Sequence, residues 1–352
     1  MLGVLAAEGA SPETIVTETV FFRRIREHFE AARSARSRVF GDAGLERCRP
    51  ATTFIGQPPL AKDAHLELAA VAVLPRPTGS SSVHDVSRAT ACSCEACSPG
   101  VRARVVHLGD QVSLYTGNVY GSGRDAFEEA YDMFRVAEGL LAEAGMRFGD
   151  VTRTWIHLRN IDRDYDALNR ARREFFRHCG IERRPASTGI QGIPFPDAHD
   201  FSLSLYAVNS PRPLDVTPMS TPSLNEAWSY GADFSRGLRI AQANRVTLYV
   251  SGTASIDEAG RTVHVGNFEA QADRMLHNIA SLLAQQGATF KDMVSGVAYL
   301  KNPNDAPVLR SMFRQRGLDG FPCALVEAQM CRPELLCEAE AVAILPVATR
   351  GA

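Results

Sequence analysis

The sequence has little of what marks a secreted, membrane-embedded or nucleic-acid-binding protein. Its 352 residues carry a formal net charge of −2, so no strong positive field is present to attract nucleic acid or an anionic membrane. No apolar run approaches the roughly 20 residues that a membrane helix needs. Eight cysteines in a chain of this length do not form the dense pattern of a disulfide framework. These absences predict a cytoplasmic globular protein without a membrane or nucleic-acid partner.

The sequence does contain a repeated segment. Gly9, Gly145 and Gly287 each follow an apolar run with helical spacing, where the end of a helix favours a residue in the left-handed conformation. An alternating apolar and polar run, typical of a strand, follows each glycine. These three runs are Ile15–Phe22, Val151–Leu158 and Met293–Leu300.

The repeat continues with a charged helical stretch, a short motif and a closing strand. The motifs are RPATT (49–53), RPAST (184–188) and FPCAL (321–325), and the closing strands read LELAAVAVLP, FSLSLYAVNSP and CEAEAVAILP. Three matches in one order predict three duplicated units, the first of which lacks the opening strand pair and most of the first helix. The predicted divisions are a truncated half-unit (1–76), a linker (77–104), a divergent unit (105–211), a second linker (212–234) and a complete unit (235–348).

With YVSG in its first strand pair and E-x-E-A-V-A in its last strand, the third unit resembles the RidA (YjgF) superfamily. The resemblance implies an α+β fold of tandem, chorismate-mutase-like units, each a mixed sheet with helices packed on one face. It also implies a pseudo-trimeric arrangement with active clefts between neighbouring units. In RidA deaminases an arginine binds the substrate carboxylate, but the matching positions here are Thr52, Ser187 and Ala324. Ordinary imine deamination is therefore disfavoured.

The second and third units also resemble chorismatases, which share this fold and release pyruvate from chorismate. The motifs that carry this likeness are RTW (153–155), PASTGIQG (185–192), FSRG (234–237) and CRPELLCEAE (331–340). The resemblance implies that Glu338 protonates the enolpyruvyl group, and that Cys331 and Gly237 belong to the branch that forms 3-hydroxybenzoate. A chorismatase loop, YGP-x-PP, is replaced here by SYGADFSRG (229–237).

Glu338 is the candidate catalytic residue. Glu338 and Glu340 lie two apart on a predicted strand and therefore share one face. A carboxylic acid in an apolar cleft has a raised pKa and can exchange protons near neutral pH. The alternative is a pair of solvated strand glutamates. Cys331 has no nearby histidine to act as its base, which favours a small pocket-lining residue over a nucleophile.

The candidate substrate-binding residues combine aromatic rings with one cation and a second acid. They are Trp155, Trp228, Tyr230, Arg236, Gly237, Cys331 and Glu340. Trp155 shares a strand face with Arg153 and His157, which could stack on a flat substrate and bind its acid group or could be a buried interface. Cys92, Cys94 and Cys97 have the only metal-like spacing, and a loop of free thiols is the alternative. No metal or cofactor is predicted at the site.

We therefore expect an enzyme of secondary metabolism that acts on an aromatic or polyketide-like small molecule. The leading hypothesis is a ring-forming cyclase or aromatase, for example in carbazole-alkaloid-like cyclisation, with Glu338 as general acid and base. One alternative is a chorismatase that makes 3-hydroxybenzoate and pyruvate, and another is a non-catalytic ligand-binding protein. The expected assembly is a monomeric pseudo-trimer or a low-order homo-oligomer.

Overall fold

A computed structural model describes residues 2–42, 50–74, 81–90, 100–195, 197–212, 214–242 and 244–347. Cys92, Cys94 and Cys97, the candidate metal ligands, lie outside these residues. Within the described part of the chain, no helix combines the length and the apolar character needed to cross a membrane.

The first unit is small and holds a four-stranded sheet in the order β3-β1-β2-β9, in which β9 (Ile193–Pro194) comes from the chain of the second unit. Strand β1 pairs in parallel with β2 and antiparallel with β3. Helix α2 covers the sheet with Ile25 and Phe40, its buried residues. The elements are α1 (Leu2–Ala7), β1 (Ile15–Phe22), α2 (Ile25–Asp42), β2 (Ala51–Gly56) and β3 (Leu66–Ala72).

The second unit has a six-stranded sheet in the order β4-β5-β6-β10-β7-β8. Helices α3 and α4 pack on one face, and the apolar stripe of each is buried around Phe134 and Phe175. Its first elements are β4 (Ser81–Arg88), β5 (Val101–Leu108), β6 (Gln111–Thr116), α3 (Ala126–Glu143) and β7 (Val151–Leu158). The rest are α4 (Ile161–His178), β8 (Ala186–Gln191), β9 (Ile193–Pro194) and β10 (Phe201–Asn209).

The third unit repeats this plan with the sheet order β11-β12-β13-β16-β14-β15. Helices α5 and α6 bury Met275, Ile279 and Leu309 against the sheet. Its first elements are β11 (Asp215–Pro218), β12 (Gly237–Ala241), β13 (Arg245–Ala254) and α5 (Phe268–Ala284). They are followed by β14 (Met293–Leu300), α6 (Ala306–Gln315), β15 (Cys323–Glu327) and β16 (Cys337–Pro346).

The duplication is confirmed by the strand topology. The orders β3-β1-β2, β10-β7-β8 and β16-β14-β15 coincide, each with one antiparallel and one parallel pairing. Gly9, Gly145 and Gly287 adopt positive φ angles of 68°, 68° and 72°, as expected where a helix ends in the left-handed conformation. The fold is α+β, with helices on one face of each mixed sheet.

The division of the chain differs from the prediction at both expected linkers. Residues 77–104 contribute β4 and the start of β5, and β4 pairs with β5 from end to end. Residues 212–234 contribute β11, which pairs with β12. Both stretches resemble loops in their serine or proline content, but edge strands tolerate such residues because one side of the strand forms no ladder hydrogen bonds.

The three sheets together line a central cavity of about 1150 Å³. Its walls come from β1 and β3, from β6, β7 and β10, and from β12, β13, β14 and β16. The sheet faces opposite the helices thus share one cavity. The pseudo-trimeric arrangement stays a prediction.

Candidate active site

Glu338 and Glu340 lie on β16 opposite Tyr299 and Val297 of β14. Both are buried, at 6% and 7% exposure, and their spacing places them on one strand face. A buried carboxyl group needs a hydrogen-bond donor or a positive charge nearby, or it remains protonated. The two glutamates satisfy this requirement differently.

Glu340 is surrounded by protein donors. It accepts hydrogen bonds from Arg153 Nη2 at 2.7 Å and from Trp155 Nε1 at 2.7 Å. Thr188 Oγ1 also donates to it, and the Tyr299 hydroxyl lies at 3.4 Å. Arg153, Trp155 and Thr188 come from the second unit, so this carboxylate joins two units. Glu340 was expected to bind substrate, but its oxygens are occupied by these neighbours.

Glu338 lies in a different environment. Burial is the main cause that raises its pKa to about 8, and the negative charge of Glu340 adds to this effect. The positive charges of Arg236 and Arg153 act in the opposite direction. Glu338 is therefore mainly a carboxylic acid at neutral pH, which gives it a proton to donate.

Gly252 on β13 creates the space beside Glu338. A Cβ atom at this position would clash with Glu338 Oε1 and lie 3.2 Å from the Thr188 methyl group. The Gly252 amide donates to Thr188 Oγ1 at 3.0 Å. Any side chain at this position would push the acid out of place, so the glycine fixes the position of Glu338 between the second and third units.

Two buried arginines flank one aromatic ring, and one of them, Arg236, acts electrostatically on Glu338. The guanidinium carbons of Arg172 and Arg236 lie 5.5 and 5.8 Å from the centre of the Phe234 ring. Arg236 Nε donates to the Asn225 carbonyl at 2.7 Å. Arg172 Nη2 donates to Asn169 Oδ1 at 2.6 Å. Both side chains are buried, at 3% exposure, so the site holds two positive charges largely removed from water.

Arg172 was not among the residues singled out from the sequence. It lies on α4 one turn from Leu168 and Phe176, on the buried face of that helix. An arginine on the apolar stripe of an amphipathic helix is the sequence signal that could have identified it, because a buried charge needs a specific reason.

Cys331 lies within electrostatic reach of Glu338 and shares a hydrogen bond with Tyr165. Burial, the main cause, and the charge of Glu338 raise the pKa of the thiol to about 12. The thiolate is the reactive form of cysteine. Cys331 is thus placed as a neutral neighbour of the acid, in agreement with a pocket-lining role.

This protonated thiol predicts slow alkylation. We expect Cys331 to react with iodoacetamide at pH 7.5 on the order of a hundred-fold or more slowly than free cysteine. Mass spectrometry of the peptide that contains Cys331 measures the rate, and the urea-unfolded protein is the control. If Cys331 were labelled as fast in the folded protein as in the unfolded chain, it would not be a buried, protonated thiol.

The other expected binding residues are more dispersed. Trp228 is 43% exposed and has Arg184 over its ring at 5.4 Å. Tyr230 ends the same helical turn, Ala227–Tyr230, and its side chain lies outside the described residues. Gly237 permits close strand packing, since a Cβ there would lie 2.7 Å from the Tyr249 carbonyl oxygen. Trp155 faces the central cavity.

No group of three or more potential metal-ligating side chains is found among the described residues.

A comparison with protein families identifies the domain that contains Glu338. Residues 229–345 match the family model described as Endoribonuclease L-PSP. These residues are a RidA-superfamily domain. The RidA domain supplies Glu338, Arg236 and Cys331, and the second unit supplies Arg172 and Thr188.

One relative matches a short part of the chain, and another matches a longer part. The 3-aminoacrylate deaminase RutC of Acinetobacter baylyi is 29% identical over 97 residues, which cover 27% of this chain and 77% of that protein. The 3-hydroxybenzoate synthase of Streptomyces hygroscopicus is 27% identical over 262 residues, 64% of this chain and 72% of that protein.

Among solved structures, a chorismatase resembles most of the chain. A crystal structure of a chorismatase aligns with a TM-score of 0.66 at 16% identity, and covers 94% of this chain and 93% of its own. At this identity the likeness concerns the fold. The C-terminal region, from the second unit through the RidA domain, thus has a chorismatase-like fold.

Proposed function

We propose that this protein is a chorismatase-type lyase, which converts chorismate into a hydroxybenzoate and pyruvate. The observation that carries the proposal is Glu338, a buried acid whose pKa of about 8 keeps its proton at neutral pH. The names of two similar proteins, a 3-hydroxybenzoate synthase and a chorismatase, support the same chemistry. The 3-hydroxybenzoate isomer is expected, since Cys331 and Gly237 match that branch.

The acid has a defined task in this reaction. Glu338 donates its proton to the terminal methylene carbon of the enolpyruvyl group, and the carbon beside the ether oxygen becomes positively charged. The carboxylate left on Glu338 stabilises that charge. The bond between the ring and the ether oxygen then breaks and releases pyruvate, which keeps that oxygen as its keto oxygen. The neighbouring ring hydroxyl oxygen shifts to the ring carbon left positive, and loss of the proton on that carbon to Glu338 gives the aromatic 3-hydroxybenzoate. The two products together contain the atoms of chorismate, so no oxidant or water is consumed.

The two arginines make a dianionic substrate reasonable. Each carboxylate of chorismate loses water on entering a cleft, and an unpaired buried charge would cost several kcal/mol. Arg172 and Arg236 place two positive charges around the Phe234 ring. The ring-forming cyclase expected from the sequence assumed a less charged ligand, because Arg236 was the only cation among the candidate substrate-binding residues. With Arg172 added, the chorismatase alternative has the better support.

The test uses purified protein and millimolar chorismate. Pyruvate is followed with a coupled dehydrogenase, and chromatography separates the hydroxybenzoate isomers. We expect 3-hydroxybenzoate and pyruvate in equal amounts. Absence of pyruvate from correctly folded wild-type protein would contradict the proposal, and ring closure of another substrate by the same acid would restore the cyclase hypothesis.

Arg172 provides a more specific prediction. We expect Arg172→Gln to lower kcat/KM for chorismate by on the order of thirty-fold or more, because one substrate carboxylate loses a buried charged partner. Arg173→Gln is the matched control, because Arg173 is the next residue and its side chain is exposed. The kcat/KM of this variant should stay within about twofold of the wild-type value. Equal effects of the two substitutions would remove Arg172 from the site.

A further inference from the structure

The central cavity has a polar and aromatic wall that the proposed reaction does not use. Arg153, Trp155 and His157 alternate along β7, and all three line the cavity. Glu338 is not part of this lining. Arg153 and Glu340, which form an ion pair, belong to the lining, and the charges of both act on Glu338. Glu338 therefore adjoins the cavity wall without being part of it.

Two buried nitrogen atoms in this wall have no hydrogen-bond partner among the described residues. They are Arg153 Nη1 and His157 Nδ1, on side chains that are 1% and 3% exposed. The other amino group of Arg153 binds Glu340 and Thr188. Burial lowers the pKa of His157 to about 4, so its ring is neutral. Buried polar atoms without a partner are rare, and here both belong to residues that line one cavity.

Aromatic rings lie beside these residues in the wall, and Tyr206 of β10 is the cross-strand neighbour of Arg153. Tyr206 lies between Tyr115 and Tyr249, with ring centres 4.8 and 5.6 Å apart. Burial is the main cause that raises the pKa of all three phenols, so they remain uncharged. Large flat rings with hydroxyl groups suit a flat ligand that also forms hydrogen bonds.

The charges of the wall are largely compensated. Its described residues include three carboxylates and three guanidinium groups, and each carboxylate has an arginine partner, which for Glu18 is Arg36 outside the lining. A charged ligand would therefore find at most one uncompensated charge, that of Arg245, to offset its lost hydration. The cavity volume of about 1150 Å³ is at the upper end of the range for small-molecule pockets, roughly 300–1,000 Å³. The carboxylates are Glu18, Asp110 and Glu340, and the arginines are Arg153, Arg212 and Arg245.

We propose that the central cavity is a second ligand site, which takes an uncharged, flat aromatic molecule with carbonyl or phenolic oxygens. Arg153 Nη1 donates a hydrogen bond to one oxygen atom of the ligand. His157 Nδ1 forms a hydrogen bond with the same oxygen or with a second oxygen of the ligand. Trp155 and the three tyrosines pack against the rings. This site is independent of the reaction proposed at Glu338, and a ligand here need not be the substrate.

Three matched probes test this site by equilibrium dialysis. They are 2-acetylnaphthalene, which is neutral with a carbonyl oxygen, 2-naphthoate, which is an anion, and 2-methylnaphthalene, which has no acceptor. We expect saturable binding of the ketone at least tenfold tighter than that of either other probe. The Trp228→Phe protein retains Trp155 as its single tryptophan, so energy transfer from Trp155 to the bound ketone reports its location.

Substitutions in the wall complete the test. Val71→Phe on β3 and Val342→Phe on β16 fill the cavity from two different sheets and should each weaken ketone binding at least tenfold. Val265→Phe, at an exposed position outside the lining, should leave it within twofold. Circular dichroism verifies folding. Absence of saturable ketone binding, unchanged binding in both filled variants, or equal affinity for the naphthoate would overturn the proposal.

Discussion

Glu338→Gln should reduce turnover by on the order of a hundred- to ten-thousand-fold, because the amide keeps the shape of the side chain but cannot donate the proton. The matched control is Glu67→Gln, which makes the same change at the equivalent position of the first unit. Glu67 is only half-buried, and Arg310 partly offsets the effect of burial on its pKa. We expect turnover within a few-fold of wild type for this control. Chorismate turnover of the Glu338 variant within a few-fold of wild type would remove Glu338 from the mechanism.

The same substitution should stabilise the protein at neutral and alkaline pH. The folded pKa of Glu338, about 8, exceeds the ordinary value of 4.5. Between these two pH values the unfolded chain releases a proton that the folded chain keeps, so the wild-type free energy of unfolding falls as pH rises. Each unit of difference corresponds to about 1.4 kcal/mol. Urea unfolding at pH 5 and pH 8 should show a larger advantage for the glutamine variant at pH 8.

Arg153→Met should destabilise the protein by about 3–5 kcal/mol, because it leaves the Glu340 carboxylate buried without its cation. Glu340→Gln should also destabilise, since the Arg153 guanidinium then has no countercharge. The double variant should lose less than the sum of the single losses, because neither unpaired charge remains. Urea unfolding of the four proteins measures this difference. Strictly additive losses would show that the ion pair has no role in joining the units.

The two single variants should also move the pKa of Glu338 in opposite directions. The charge of Glu340 raises this pKa, and the charge of Arg153 lowers it. Glu340→Gln should therefore shift the alkaline limb of the pH–rate profile to lower pH, and Arg153→Met should shift it to higher pH. A general loss of packing would not produce two shifts of opposite sign, so this profile separates the electrostatic role of the pair from a structural one.

The repeated fold could be predicted because its signals are local in sequence. Helix-ending glycines, alternating strands and a recurrent motif order mark each unit, and the strand pairings reproduce that order. The added edge strands β4 and β11 could not be predicted in the same way. Their composition is typical of loops, and only pairing with β5 and β12 makes them strands.

The candidate site could be predicted only in part. Glu338 and Cys331 belong to one motif, and the structure keeps them close. The partners of Glu340 come from β7 and β8 of another unit, and sequence spacing within one unit does not specify such contacts. Arg172 likewise belongs to α4 of the second unit and lies over the ring of Phe234. Contacts between units therefore account for most of what was missed.

The protonation state of Glu338 is the central claim, and it can be measured without a substrate. Protein labelled with carbon-13 at the glutamate side-chain carboxyl carbons is titrated by nuclear magnetic resonance, and the signal that disappears in Glu338→Gln identifies the residue. We expect this signal to titrate with a pKa of about 8, as burial and the charge of Glu340 require. A titration near the ordinary value of 4.5 would contradict the account, because Glu338 would then have no proton to donate at neutral pH.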